Sequence, residues 1–172
     1  KKFLNDRGFF NVSIIPHGFD DGIFKKRPIH AVPENKKVRI GIISKRYPRR
    51  FKGEVYLYEL LDFLPRDLVS FVLVGEGRSQ EAMLMEELGI EVECFEMLPY
   101  RLFPALYNEI DFLLMVSTFE GGPANIPEAV ASGTPVICTR VGMIPDMIFH
   151  EVNGLILTGN VEEDLRTLQG LF

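Results

Sequence analysis

Residues 111–129 read DFLLMVSTFEGGPANIPEA. An apolar run ends at Val116 and gives way to two glutamates, Glu120 and Glu128, on either side of seven uncharged residues rich in glycine and proline. A run this short, closed by turn-forming residues, has the length of a strand. The segment after it cannot be one continuous helix, because Gly121-Gly122-Pro123 would break it. Pro127 is tolerated only in a first helical turn, so a helix begins within 123–127 and Glu128 lies near its N-terminus. Strand, glycine-rich loop and helix start make half of an α/β unit.

The same unit recurs along the chain. Apolar runs stand at 37–43 (KVRIGII), 69–74 (VSFVLV), 90–95 (IEVECF), 111–116, 135–138 (PVIC) and 154–157 (GLIL). Near-continuous apolar runs suit strands covered on both faces. Helical spacing is expected over 54–64, 79–88, 99–109, 124–132 and 161–169. In 54–64, Val55, Tyr58 and Leu61, joined by Leu57 and Leu64, would share the buried face. Ser79 is the candidate cap of its helix, and Glu81 favours the helix start. Alternation with short connections predicts a doubly wound parallel sheet, Rossmann-like. Residues 1–36 fit less well. KKFLNDRGFFN reads as a helix end and turn, VSIIPHGFD (12–20) as one strand ending in a turn, and 25–36 as a surface connection; the sheet domain is expected over 37–172.

Composition narrows the class. The 172 residues are 47% hydrophobic and 25% charged, ordinary for one globular domain, and would bury roughly 70% of the unfolded surface. A net charge of −5 argues against a chain built to bind nucleic acid or anionic membrane. Cys94 and Cys138 lie far apart with no metal spacing, as expected of reduced thiols in a cytoplasmic protein. No apolar stretch reaches the length of a membrane span, and no signal peptide is visible. The chain starts at Lys1 without an initiator Met and ends at Phe172 within a helical pattern, so it is expected to be a piece of a longer protein. His17, His30 and His150 share no motif and read as loop or surface residues; Met143 and Met147 read as packing.

A doubly wound sheet binds ligands at the carboxyl ends of its strands. Five of the eight residues from Lys45 to Lys52 are basic. That loop reads as an anion site for phosphates, with a solvated loop or a nucleic-acid patch as alternatives. Arg46 and Lys52, flanking the loop, are the candidate ligands. GEGRS (75–79) has two glycines after a strand but lacks the full dinucleotide fingerprint, since position 80 is Gln; a tight turn explains it equally. In a continuous helix, Glu120 and Glu128 would differ by about 80° in direction and about 12 Å in height, so they would not meet as an acid/base pair. With a loop between them they have separate work as hydroxyl acceptors. The helix start after Gly122 is an anion site. Such a combination suits a ligand bearing sugar and phosphate; the alternative is that Glu128 caps its helix and Glu120 is solvated.

The stretch FEGGPANIPEAVASGTPVICTRVGMIPDMI (119–148) resembles the signature of the retaining nucleotide-sugar glycosyltransferases called glycosyl transferases group 1. Their pattern is Glu, seven residues, Glu-Ala, then Gly-Thr-Pro-Val and Gly-x-Ile-Pro-Glu. Here it is carried by Glu120, Glu128-Ala129, GTPV (133–136) and GMIPD (142–146), with Asp146 for the last Glu. IPHGFD (15–20, His17 for the usual Asn), Lys52-Gly53, LVGEG (73–77) and NGLIL (153–157) match the family in order, so the resemblance spans nearly the whole chain. EGGP stands where Glu-Gly-Phe-Gly is commoner.

The resemblance implies the carboxyl-terminal, donor-binding half of a GT-B glycosyltransferase, with the amino-terminal acceptor domain absent. Residues 1–36 would be the end of the interdomain segment and a linker strand. Arg46 and Lys52 would hold the donor diphosphate, with Lys45 as the other matching base. Glu120 would meet the transferred sugar, and the backbone from Gly121 and Gly122 through Pro123 and Ala124 to Asn125 would line sugar and phosphate. Glu128 would hold the ribose. No metal and no cofactor is implied; the substrate is a nucleotide-sugar donor such as a UDP- or GDP-sugar. The partners implied are a glycan or lipid-linked acceptor and the missing half, through which the protein could reach the cytoplasmic membrane face. The function implied is glycosyl transfer in glycan or surface-polysaccharide synthesis, with this piece inactive alone. A sugar-nucleotide epimerase or a non-catalytic binding module are the other readings.

Overall fold

The six apolar runs form six strands of one sheet, ordered β3-β2-β1-β4-β5-β6 and parallel throughout. They are β1 (Val38–Ile43), β2 (Val69–Val74), β3 (Glu91–Phe95), β4 (Phe112–Met115), β5 (Val136–Thr139) and β6 (Gly154–Leu157). The computed structural model describes residues 2–13, 15, 17–26, 36–47 and 51–172. The helices between strands are α2 (Glu54–Leu61), α3 (Ser79–Glu87), α4 (Phe103–Glu109, after a 3-10 turn at Tyr100–Leu102), α5 (Asn125–Ser132), α6 (Ile144–Met147) and α7 (Val161–Leu168), with a short α1 (Lys2–Asn5) in front. The doubly wound Rossmann-like expectation holds.

Strand side chains alternate between two cores. Ile40, Ile42, Phe71, Leu73, Leu114 and Ile137 point to the face covered by α2, α3 and α7. Ile43, Val72, Val74, Leu113, Met115 and Cys138 point to the face carrying Leu106, Tyr107, Ile126 and Ile144. All six residues of β2 are buried. β3 differs, because it lies at the sheet edge: Glu91, Glu93 and Phe95 are exposed and alternate with half-buried Val92 and Cys94. Burial raises the thiol pKa of both free cysteines, that of Cys138 to about 12.

Several local expectations need correction. Val55 is exposed; Leu57, Leu60 and Leu61 make the buried face of α2, with Leu64 buried past its end. Ser79 is the first residue of α3 and caps nothing with its side chain; a carboxylate from after β3 meets its backbone N–H instead. Residues 12, 13, 15 and 17–20 form no strand; Ile14 and Pro16 lie outside the described residues. So do most of the 25–36 connection, including His30, and Pro48 to Arg50 of the basic loop. His17 and His150 are exposed, as expected. Phe24, from the leading segment, is buried in the second core.

β1 and β4 are the neighbours that join the two halves, β3-β2-β1 and β4-β5-β6, so the winding reverses direction between them. The loops leaving those strands meet at Gly53, which begins α2 with φ +76°. A Cβ at Gly53 would lie 1.8 Å from the Val116 carbonyl oxygen. Both the left-handed backbone and the contact demand glycine. Gly53→Ala is therefore expected to cost at least about 2 kcal/mol, read as a lower urea midpoint.

Candidate functional site

The crevice expected of this winding opens where β1 and β4 part. It is a cleft of about 410 Å³, and Lys45, Lys52, Tyr100, Asn125 and Glu128 are among its lining residues. A second hollow of about 690 Å³ lies on the other side of the glycine turn, bordered by His17, Gly121, Gly122, Met143 and Asp146.

Lys52 ties the cleft to the loop that leads into the glycine turn. It lines the cleft, yet its ammonium donates to Glu120. The same carboxylate oxygen accepts from Ser117 Oγ at 2.9 Å. Both charged side chains are largely buried, and the ammonium lies 5.6 Å from the centre of the Tyr47 ring. The Ser117 carbonyl accepts in turn from Thr139 Oγ1, tying the loop after β4 to β5.

Between the glutamates stands the start of α5. Its cap residue, Ala124, offers no side-chain acceptor; Ile126 N–H turns back to the Pro123 carbonyl at 3.3 Å and Pro127 has no N–H, which leaves the N–H of Asn125 to face a ligand. Asn125 Nδ2 donates to the Ile43 carbonyl at 2.8 Å, fixing this helix start against the end of β1. Glu128, in the first turns as expected, is buried but for the edge it shows the cleft. Tyr107 donates to its Oε2 at 2.9 Å and Tyr100 to its Oε1 at 3.1 Å. Burial, then the charge of Glu128, pushes the Tyr107 phenol far up; burial, then the hydrogen bond to Glu128, raises that of Tyr100. Both stay protonated donors.

The two candidate phosphate bases after β1 separate. Lys45 lines the cleft and pairs with Glu76. Arg46 turns to α3, where Nε meets Glu81 at 2.7 Å and Nη1 meets Gln80 at 2.5 Å, and it is not among the cleft residues. Behind it, Arg78 is fully buried. It donates to the Ser44 carbonyl and hydroxyl, both at 2.8 Å, and lies 3.6 Å from Glu81. Desolvation lowers its pKa, while the charges of Glu81 and Glu54 oppose that. Arg78 thus anchors the root of the basic loop.

The turn GEGRS resolves toward its tight-turn alternative. Gly75 has φ +142°, and a Cβ there would meet the Ser44 carbonyl at 2.4 Å. The anion position at the start of α3 is filled by the protein itself: Glu96 accepts from Gly77 N at 2.6 Å and from Ser79 N at 3.0 Å. Those N–H groups hold the Glu96 carboxyl below the usual glutamate range.

Tyr100, Tyr107, Ser117, Arg78 and Glu96 were not legible as site residues in the sequence. One signal existed for the tyrosines: seven residues apart in a helical segment, they fall on one face. A buried arginine in a glycine turn carries no such mark.

Residues 24–168 match the family model described as glycosyl transferases group 1. D-inositol 3-phosphate glycosyltransferase of Corynebacterium jeikeium is 30% identical over 161 residues, covering 86% of this chain and 38% of that protein. Sucrose-phosphate synthase of Thermosynechococcus elongatus superposes with a TM-score of 0.79 at 19% identity, over 99% of this chain and 46% of the other. HepE of Anabaena, solved with UDP and glucose, gives 0.66 at 24% identity, over 89% and 45%. The chain thus spans less than half the length of each. These likenesses place the fold with the carboxyl-terminal half of the GT-B glycosyltransferases.

The charges lead to two expected outcomes. Arg78→Met removes the buried cation facing Glu54 and leaves Glu81 with Arg46 alone, and should cost about 3–5 kcal/mol by denaturant melting. A depressed carboxyl pKa contributes stability that is present above the unfolded value and lost as pH falls through the folded one. Glu96→Gln should therefore lose less melting temperature than the wild type on going from about pH 5 to about pH 3.

Proposed function

Because the chain belongs to the glycosyl transferases group 1 family, we propose that its cleft holds the donor of a retaining glycosyl transfer from a nucleotide sugar to a glycan or lipid-linked acceptor. The observation that carries this is the placement of Lys52, which lines the cleft beside Glu128 while pairing with Glu120 across the uncapped start of α5. A diphosphate over that helix start meets the N–H of Asn125, the positive end of the dipole and two cations, Lys52 and Lys45. Glu128 then faces the ribose hydroxyls, and Glu120 the transferred sugar on the side of Gly121 and Gly122. Arg46, held by Glu81, supports Lys45 from behind. The ligands of the HepE structures, UDP, glucose and UDP-glucose, are of this class.

As the glycosidic bond breaks, the leaving diphosphate gains negative charge. Cations and N–H groups already in place stabilise that charge without reorganising, which is where such a site gains rate. Lys52 neutralises Glu120. A bound phosphate draws the ammonium toward itself and leaves the Glu120 carboxylate free to accept from a sugar hydroxyl. The acceptor is bound by residues outside this chain, so the chain alone binds donor and transfers nothing.

Calorimetric titration with UDP, GDP and ADP tests the reading and names the base. Lys52→Ala should weaken the best nucleotide roughly 10–100-fold, the value of one charge-assisted hydrogen bond, and leave the matching nucleoside unaffected. A folded chain that binds none of the three removes the proposal.

A further inference from the structure

An aromatic nest of Tyr100, Tyr107, Phe24 and Phe103 stands around Glu128. Tyr107 is buried and Tyr100 half exposed, and each gives its phenol proton to a different oxygen of one carboxylate. Phe24 stands edge-on to both rings, with centroids 5.7 Å from Tyr100 at 71° and 5.8 Å from Tyr107 at 67°. Phe103 packs against both as well, at 5.9 and 6.4 Å. Neither phenol is free to swing away without breaking this packing.

A carboxylate offers about four acceptor positions, two on each oxygen. The tyrosines fill one on each and leave one on each. Glu128 shows the cleft only an edge, so the two remaining positions are the ones a ligand can use. Two acceptors on adjacent oxygens suit two neighbouring hydroxyls, as on the cis-diol of a ribose.

We infer that Tyr107 and Tyr100 are positioning residues that hold the Glu128 carboxylate to accept both hydroxyls of a ribose cis-diol, and so set the preference of the site for ribonucleotides over deoxyribonucleotides. This rests on the reading that Glu128 receives the ribose. Neither tyrosine need touch the reacting atoms. Phe24, which precedes the sheet in sequence, fixes the angle between the two phenols, so the leading segment contributes to ribose recognition.

The test is a ratio of affinities. The chain is titrated with UDP, GDP and ADP, and then with the 2′-deoxy counterpart of whichever binds most tightly. The wild type should prefer the ribonucleotide roughly 10–100-fold, the value of one hydrogen bond to a charged group. Tyr107→Phe keeps the ring and its packing, and should lower that preference at least about fivefold. Tyr100→Phe should do the same, and it carries the test if Tyr107→Phe fails to fold by circular dichroism, because Tyr100 is half exposed. Equal weakening of both nucleotides by these variants, with the ratio kept, would show support of the fold alone and overturn the inference. A ratio lost in Glu128→Gln but kept in both tyrosine variants overturns it while leaving the ribose reading intact. A wild type with no preference removes the ribose reading and this inference together.

Discussion

Everything at the cleft depends on how closely the loops leaving β1 and β4 approach. Gly53 brings its α-carbon against the Val116 carbonyl, at a distance no side chain could share. That contact sets Lys52, from one loop, beside Ser117 and Glu120, from the other. It also starts α2 in the one orientation that sends Leu57, Leu60 and Leu61 onto the sheet. A residue needed for backbone reasons thereby fixes where a functional ammonium ends.

Around this point the molecule deals with its own charges in three ways. Lys52 and Glu120 neutralise each other, which offsets the desolvation of two largely buried ions and keeps both within reach of a ligand. Arg46, Glu81 and Arg78 form a network directed away from the cleft, and it holds the root of the basic loop through Ser44. Glu96 fills the anion position at α3. The start of α5, by contrast, carries no carboxylate on its N–H groups among the described contacts, which directs an anion there.

The strand runs were readable because burial on both faces leaves long apolar stretches in a parallel sheet, and Glu128 was placed because Pro127 can only occupy a first turn. Spacing misleads where a neighbour decides. Val55 has the right spacing for the core, but α2 is turned by Gly53 so that Leu60 takes its place. Ser79 looks like a cap until Glu96 arrives from the loop after β3. Arg46 and Lys45 are adjacent basic residues in one loop, and only the acids across from them, Glu81 and Glu76, separate one from the other.

By itself, the sequence determined the period of each element, the winding of the sheet and the two glutamates bracketing a helix start. These are properties of local backbone preference and of apolar spacing, which act over a few residues. Only the tertiary structure decided which cation faces the cleft, that Tyr100 and Tyr107 share the carboxylate of Glu128, and that Phe24 lies between them. Those pairings join residues brought together by the crossing of loops at the sheet's carboxyl edge. Hydrogen bonds and ion pairs act over a few ångströms of space, and spacing along the chain does not measure that distance.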